Sequence, residues 1–405
     1  MYTIIFIETT KSGSAREAIK AAQRLGYFTI LFTRSEKFMN QRKEFPDVCQ
    51  MIHLKELTEH GIRKEIIDLQ QQKKVIKAVV SFMDPYVSLA ARIMNELCYS
   101  EISVEAFEKM ENKAETRKAL RKNRATPCYN VFNPKDKLKR FLTQEFTYPL
   151  IVKSPVSKAS KDVYLVKNKL KLEKEMTKML NCYPDQNILL EEYLEGPQFI
   201  AEVIVHKGEI NIVAVLKQHI TKKLKFIVTG YALQPKLDEN LYKSLSAAVK
   251  SIIKDLEVKN AACHIEIRYV KGVWKLIEVN PRISGGAMNR IIEEAYGINL
   301  AEEILKVYLG CEPNLTRKHE KNIYAYYLTI NSYGRLLKVT GKNMASAQPG
   351  VREVHIKPRK GANLMPPISM GHRYGYVIAT GNTLKEAQTN ATKAADLIKF
   401  YLEPL

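Results

Sequence analysis

Cysteine is scarce in this chain. Its 405 residues hold six, Cys49, Cys98, Cys128, Cys182, Cys263 and Cys311, with no CxxC pair and no Cys/His cluster at zinc spacing. That excludes a small disulfide-stapled scaffold and a zinc finger, and the six read as reduced thiols. Long apolar runs are also missing. Nothing approaches ~18 uninterrupted apolar residues, so no segment is expected to cross a membrane. The opening MYTIIFIETT lacks the positive region and small-residue cleavage site of a signal peptide and reads as a strand, and a cytoplasmic protein is expected. Acidic residues are in deficit: 43 Asp and Glu against 64 Lys and Arg leave +21, which favours anionic partners. Nucleic acid, acidic lipid and nucleotide phosphate all satisfy that charge, which does not separate them. With 45% hydrophobic and 26% charged residues the composition is that of a globular protein and excludes disorder, collagen and a membrane bundle. At ~150 residues per domain, two or three domains are expected.

The local pattern orders the chain. Tyr2 to Glu8 is β-rich, a small polar loop follows, and Arg16 to Leu25 is helical up to Gly26. Phe28 to Phe32 and Val75 to Phe82 add strands before a helical segment, so residues 1–105 are expected to form a doubly wound α/β domain. The loop Lys11 to Ser14 can cradle an anion at a helix start, but it is no GxGxxG and a plain turn is the simpler reading. Val104 to Asn123 reads as a solvated connector helix. From Tyr148 the chain turns α+β: strands at Leu150 to Val152 and Val163 to Val166, an amphipathic helix closed by Pro184, then strands broken by Gly-Pro and Lys-Gly turns. A helix around Leu241 to Leu256 leads into two strands joined at Lys271-Gly272, and a last α/β region is expected to end in a helix over Leu384 to Tyr401.

The chemistry concentrates in that late pair of strands. Residues two apart on a strand share a face, so Glu278 and Asn280 point the same way and the hairpin can bring Glu266 beside them. Like-charged buried carboxylates repel unless a cation lies between them, and oxygen ligands at this density suit magnesium holding nucleotide phosphates. Outward-facing carboxylates paired with lysines are the alternative. The sequel Pro281-Arg282-Ile283-Ser284-Gly285-Gly286 favours the site: Arg282 is placed to meet a phosphoryl or acyl-phosphate oxygen, and the glycines let backbone amides approach an anion. Lys153, at a strand end, suits nucleotide phosphates, although surface lysines are common here. His219 and His264 lie on strands beside these segments and are candidate bases or plain packing residues. Asp84-Pro85-Tyr86 ends the third strand, where α/β sheets bind ligands. Met288 is expected in the core.

Taken in order, Lys113, Lys153, the loop Ala159-Ser160-Lys161-Asp162-Val163, the hinge Leu190-Glu191-Glu192-Tyr193-Leu194-Glu195-Gly196-Pro197, Glu266 and Glu278-Val279-Asn280-Pro281-Arg282 resemble the ATP-grasp superfamily over nearly the whole chain. Within it, Phe226 to Tyr231, Asn280 to Arg290 and the late segment from Lys357 to Val377 resemble the bacterial L-amino-acid ligases, which make dipeptides. The resemblance implies a pre-ATP-grasp α/β domain (1–105), a linker helix and mobile central lobe (106–194), and a C-terminal lobe with the metal and substrate site (195–405). It implies that Lys113 and Lys153 meet ATP phosphates, that Ser160 in the covering loop is a nucleotide-binding residue, that Glu191 and Leu194 line the adenine largely through backbone groups, and that Gln198 stands where many relatives carry a ribose-binding acid. Glu266, Glu278 and Asn280 would be ligands of magnesium, or of manganese in its place. Arg282 and the amides of Ser284, Gly285 and Gly286 would steady the transferred phosphoryl group and the oxyanion. The covering loop, Ser157 to Asp162, lacks the usual glycines.

The implied reaction joins two L-amino acids through an aminoacyl phosphate, releasing ADP and phosphate, in an enzyme whose relatives are often homodimers. An ATP-grasp ligase or carboxylase-like enzyme acting on a non-amino-acid carboxylate is the neighbouring possibility. A nucleic-acid-binding protein is the distant one: the lysines form no aromatic-interleaved stripe, and such a protein has no use for a Glu/Glu/Asn cluster.

Overall fold

The structure, a computed structural model, describes residues 1–98, 100–157, 161–221 and 226–404. Four sheets organise it. In the first, Gln50–His53, Phe28–Thr33, Tyr2–Ile7 and Val75–Val80 lie side by side, all parallel. Their near-continuous apolar character follows from helices on the faces, among them Ser14–Arg24 and Val87–Cys98. The strand Gln50–His53, half-buried at the sheet edge, has no apolar signature and is legible only through its pairing.

The expected connector helix is two helices, Val104–Glu111 and Lys113–Ala119. Asn112 divides them: its side chain accepts the amides of Ala114 and Glu115 and restarts the helix as an N-cap. Far from being a solvated spacer, the second helix buries Arg117 completely and aims Lys113 into the cleft described below.

A four-stranded antiparallel sheet follows, in the order Tyr129–Phe132, Ile188–Glu192, Leu150–Lys153, Val163–Val166. It packs on the helix Lys169–Cys182 through its own apolar cluster, including Phe132, Val152, Leu172 and Met176. This separate core makes the lobe a distinct packing unit.

The third sheet has eight antiparallel strands in the order Val273–Asn280, Ala261–Val270, Gln198–His206, Glu209–Thr221, Ile227–Leu233, Asn322–Leu328, Gly375–Gly381 and Val351–Ile356. The Lys271-Gly272 turn joins the first two with φ of 47° and 84°, the left-handed pair of a tight hairpin. Its apolar face and the helices on it belong to the same large core as the first sheet. Among the described residues, no helix is long and apolar enough to cross a membrane.

The chain's end corrects one expectation. The last helix stops at Asp396, and Lys399–Glu403 is a strand that pairs with Gly334–Thr340 in a fourth, three-stranded sheet. The helix is anchored by Ala387, Ala391, Ala394 and Ala395; beyond it the pattern changes to alternation, with Phe400 and Leu402 packed on the small cluster around Leu336 and Tyr374.

Candidate functional site

The hairpin Ala261–Val270/Val273–Asn280 sets the floor of the site. Glu266 lies opposite Glu278, and His264 opposite Asn280 on one side and Glu202 on the other. One face of the sheet therefore carries His264, Glu266, Glu278 and Asn280 together with Gln198 and Gln218, paired in register on their own strands. Donor atoms of His264, Glu266 and Glu278 all lie within 4.8 Å of one another. Gln198 donates to Glu266 at 3.0 Å and Gln218 at 3.3 Å, while Lys113 meets Glu278 at 3.1 Å.

These contacts divide the two carboxylates. Burial opposes ionisation of both. Lys113 and the Asn280 amide outweigh it at Glu278 and hold its pKa below the carboxylate range, whereas at Glu266 the Glu278 charge adds to burial and pushes the pKa up. Burial, then the Arg282 charge, pushes His264 down to about 4, so its ring is neutral. Its Nδ1–H donates to the Arg282 carbonyl at 2.8 Å, which leaves Nε2 with a lone pair facing Asn280 at 3.1 Å.

A divalent cation fits this donor set: two carboxylates of like charge and a neutral imidazole share one small volume. Asn280 is placed differently from the expectation. Its amide nitrogen donates to both His264 and Glu278, at 3.1 and 3.0 Å, so it offers an oxygen ligand only after the amide turns over.

Above this floor is a cleft of about 970 Å³ between the central lobe and the large sheet. It is lined by Lys113, Lys153, Glu191, Leu194, Gln198, Glu266, Glu278, Arg282, Ser284, Gly285 and Gly286, so eleven of the thirteen residues singled out from sequence share one space. Asn280 lies just behind its wall, and Ser160 lies outside the described residues.

At the central lobe, Lys153 is buried and paired with Glu191 at 2.5 Å; Arg117 holds the other oxygen of Glu191 at 2.6 Å. Burial pushes Lys153 down, with Glu191 opposing. At Glu191 burial is outweighed by Arg117 and Lys153, which hold the carboxyl below its usual range. The Glu191 backbone is paired on both sides, with Tyr129 and with Ile151, and its side chain in the cleft wall is an acid clamped between two cations. The Leu194 carbonyl likewise accepts from Arg268, which also bonds Gln198. Tyr193 and Phe226, with ring centroids 6.4 Å apart, and Ile151 provide flat apolar wall here.

On the opposite side Arg282 is gripped by both oxygens of Asp84, which lies in the turn four residues past the first sheet's strand Val75–Val80. Burial weakens the Arg282 charge less than Asp84 strengthens it, so its pKa is raised. The Ser284 amide is not available for an anion: it donates to buried Glu202 at 3.2 Å. Among the described residues no acceptor takes the amides of Gly285 and Gly286. The loop Lys11 to Ser14 turns out to brace this segment, Ser14 donating from its amide to the Gly286 carbonyl at 3.1 Å and from its hydroxyl to the Ser284 carbonyl at 2.6 Å. His219 is bonded to the Tyr324 hydroxyl at 2.8 Å and is not among the cleft's lining residues; Met288 is fully buried.

Sequence reasoning missed Arg117, Glu202, Gln218, Lys357 and Arg373. The first three meet their partners only through sheet register or across lobes, and no local spacing marks them. Lys357 and Arg373 lie in a segment whose resemblance was visible but whose roles were not.

Comparison with known proteins agrees with this architecture. The chain matches the ATP-grasp N-terminal domain over residues 19–98, the ATP-grasp domain over 146–290 and the L-amino acid ligase C-terminal domain 2 over 326–403. It is 22% identical over 315 residues to dapdiamide A synthase from Enterobacter agglomerans, covering 76% of this chain and 73% of that protein. To alanine–anticapsin ligase from Bacillus amyloliquefaciens it is 24% identical over 331 residues, covering 74% and 68%. The crystal structure of an L-amino acid ligase from Bacillus licheniformis superposes with a TM-score of 0.85 at 20% identity, over 100% of this chain and 99% of that one, which shows a shared fold. Fold, motif order and matched domains together place the chain in the ATP-grasp superfamily, as an enzyme of ligase-type chemistry related to the bacterial L-amino-acid ligases.

Proposed function

We propose that this protein is an ATP-dependent ligase that joins two L-amino acids into a dipeptide, releasing ADP and phosphate. The observation that carries the reading is the placement of Glu266, Glu278, Lys113 and Lys153 on one side of a single cleft, and of Arg282 with the open Gly285 and Gly286 amides on the other.

A carboxylate is a poor acylating agent because hydroxide is a bad leaving group. Phosphorylation removes the obstacle: a carboxylate oxygen attacks the γ-phosphorus, ADP departs, and an acyl phosphate forms. Lys113 and Lys153 meet the phosphates. Glu266 and Glu278, with His264 or a turned Asn280, would hold magnesium, which supplies neutralisation of phosphate charge when bound. The amine of the second amino acid then attacks the acyl carbon, the C–N bond forms, the C–O bond to phosphate breaks, and the amine's proton leaves with the solvent or the departing phosphate. Arg282, fixed by Asp84, and the two free glycine amides stabilise the oxyanion of that step, a contribution of about 3 kcal/mol in comparable sites. The central lobe, with its independent core, covers the nucleotide and keeps water from the acyl phosphate, with Glu195-Gly196-Pro197 as the hinge. We assign the boundaries of the three lobes as 1–105, 106–194 and 195–405, and the setting as the cytoplasm, where ATP is supplied and six unpaired cysteines persist.

The test is mass spectrometry of products from all pairs of L-amino acids with ATP and magnesium. ATP-dependent dipeptides support the reading. ADP formation only with one non-amino-acid carboxylate would falsify it and leave the wider ATP-grasp ligase assignment intact.

A further inference from the structure

The half of the cleft away from the nucleotide side is strongly cationic. Lys11, Arg282, Lys357, Arg359 and Arg373 line it, against the carboxylates Glu44 and Asp84. Those two are already engaged: Glu44 with Lys11 and Arg359, Asp84 with Arg282. Among the described residues, Lys357 and Arg373 are paired with no carboxylate.

Arg373 is the more telling of the two. It is only 8% exposed, and its Nε has no hydrogen-bond partner among the described residues. The guanidinium stacks 3.9 Å from the ring of Tyr327, and Nη1 reaches no closer than 3.4 Å to the Val228 carbonyl. Burial works against its charge, but Tyr327, Tyr231 and the Glu266 carboxylate outweigh it and hold the pKa up, so Arg373 stays a fixed cation in the cleft with, among the described residues, no carboxylate at ion-pair distance, a group suited to an anion that arrives with a ligand. Lys357 opens into the same cleft; enclosure there, then the charge of Arg373, pushes its pKa down to about 8. Two cations that disfavour each other become compatible once an anion sits between them.

The position says which anion. Arg373 Nη2 lies 3.7 Å from where a side chain would begin on Gly286, beside the segment whose glycine amides are open. The carboxyl group to be activated belongs nearer the nucleotide side, toward Glu278 and Lys113. In an α-amino acid the carboxylate and the amine are separated by one carbon. A carboxylate held at Arg373 therefore presents its own amine to the acyl carbon, and holding both reactants converts the second step into a near-unimolecular one. The planar fork of arginine suits a carboxylate, which it can bind through two parallel hydrogen bonds.

We propose that Arg373 and Lys357 form a subsite for the carboxylate that is not activated, that of the amine-donating substrate. Resting on the ligase reading, this makes the acceptor an amino acid recognised by its acid group, and excludes simple amines and amino-acid amides as good acceptors. The step itself is the one already balanced above: the acceptor's carboxylate is neither phosphorylated nor protonated.

Two measurements test it. In saturation-transfer NMR, the twenty L-amino acids and their carboxamides are presented to the full-length protein in the presence of magnesium and ADP. Acids are expected to bind and the matching carboxamides to bind at least tenfold more weakly; Arg373→Gln and Lys357→Met abolish the difference, and Arg373→Lys restores part of it. With product analysis, the same variants raise the acceptor KM at least tenfold and leave the KM for ATP within twofold. Lys357→Met removes a cleft-facing side chain and tests the subsite even if Arg373→Gln fails to fold. Carboxamides binding as well as acids, no acid binding at all, or variants that keep the preference would each overturn the subsite. Ligation that persists without regard to the acceptor's carboxylate overturns it while sparing the ligase reading; ATP turnover with no ligation of any amine overturns the ligase reading.

Discussion

Ser14 is bonded to Ser284 and Gly286 across 270 residues of chain, its hydroxyl donating to one carbonyl and its amide to the other. The first α/β unit thus braces the segment that carries the open glycine amides. Ser14→Ala leaves the Ser284 carbonyl without its donor and is expected to cost about 1 kcal/mol of stability, with kcat falling more than the KM for ATP changes. Gly13→Ala is more severe. Gly13 has φ 94°, and a Cβ there would lie 2.8 Å from the Gly286 carbonyl oxygen. Thermal melts and steady-state kinetics of the two variants check the ranking.

Glu191 is the carboxylate between Arg117 and Lys153, and removing its charge leaves two buried cations facing each other. Glu191→Gln is expected to cost about 3–5 kcal/mol. The folded-state pKa of Glu191 lies below the ordinary value of 4.5, so its ionisation stabilises the fold above that pH and the contribution is lost as pH falls through the lower, folded value. Urea unfolding between pH 3 and about pH 7 is expected to show a weaker acid-side decline in the variant than in the native protein.

Arg282 is held by both oxygens of Asp84, an arrangement that needs the planar guanidinium. Arg282→Lys keeps the charge and loses the fork; kcat is expected to drop by about 10²–10³ with a small change in the KM for ATP. Asp84→Asn, which keeps the shape and loses the grip, falls between the native protein and that variant.

Glu278→Gln removes a carboxylate from the candidate cation site and frees Lys113 from its 3.1 Å partner. Manganese binding in the presence of ADP, followed by electron paramagnetic resonance, is expected to weaken at least tenfold, and chelation with EDTA to stop ADP formation in the native enzyme. Unchanged manganese affinity in the variant would remove Glu278 from the ligand set.

The face shared by Glu266, Glu278 and Asn280 was legible in the sequence because strand alternation and a two-residue turn fix both the side and the register of a hairpin. Lys113 and Lys153 were legible through motif order alone. Glu202 and Gln218 were not, because their partners, Ser284 in a loop 82 residues on and Glu266 on a strand 48 residues on, are brought to them only by the folded sheet. Arg117 was hidden in a charged run that reads as solvated until Glu191, 74 residues on, is seen to bury it. The connector helix and the C-terminal helix were both read too long. Helical composition continues past Asn112 and an apolar-rich run past Asp396, while a cap in the first case and alternation with β pairing in the second decide where the helix ends.

The most direct test of the central claim follows oxygen. With L-amino acids carrying ¹⁸O in the carboxyl group, ATP and magnesium, attack of the carboxylate on the γ-phosphate transfers one labelled oxygen to each phosphate released, and the account predicts that label in step with the peptide formed. Phosphate that carries no carboxyl oxygen while peptide accumulates would contradict it.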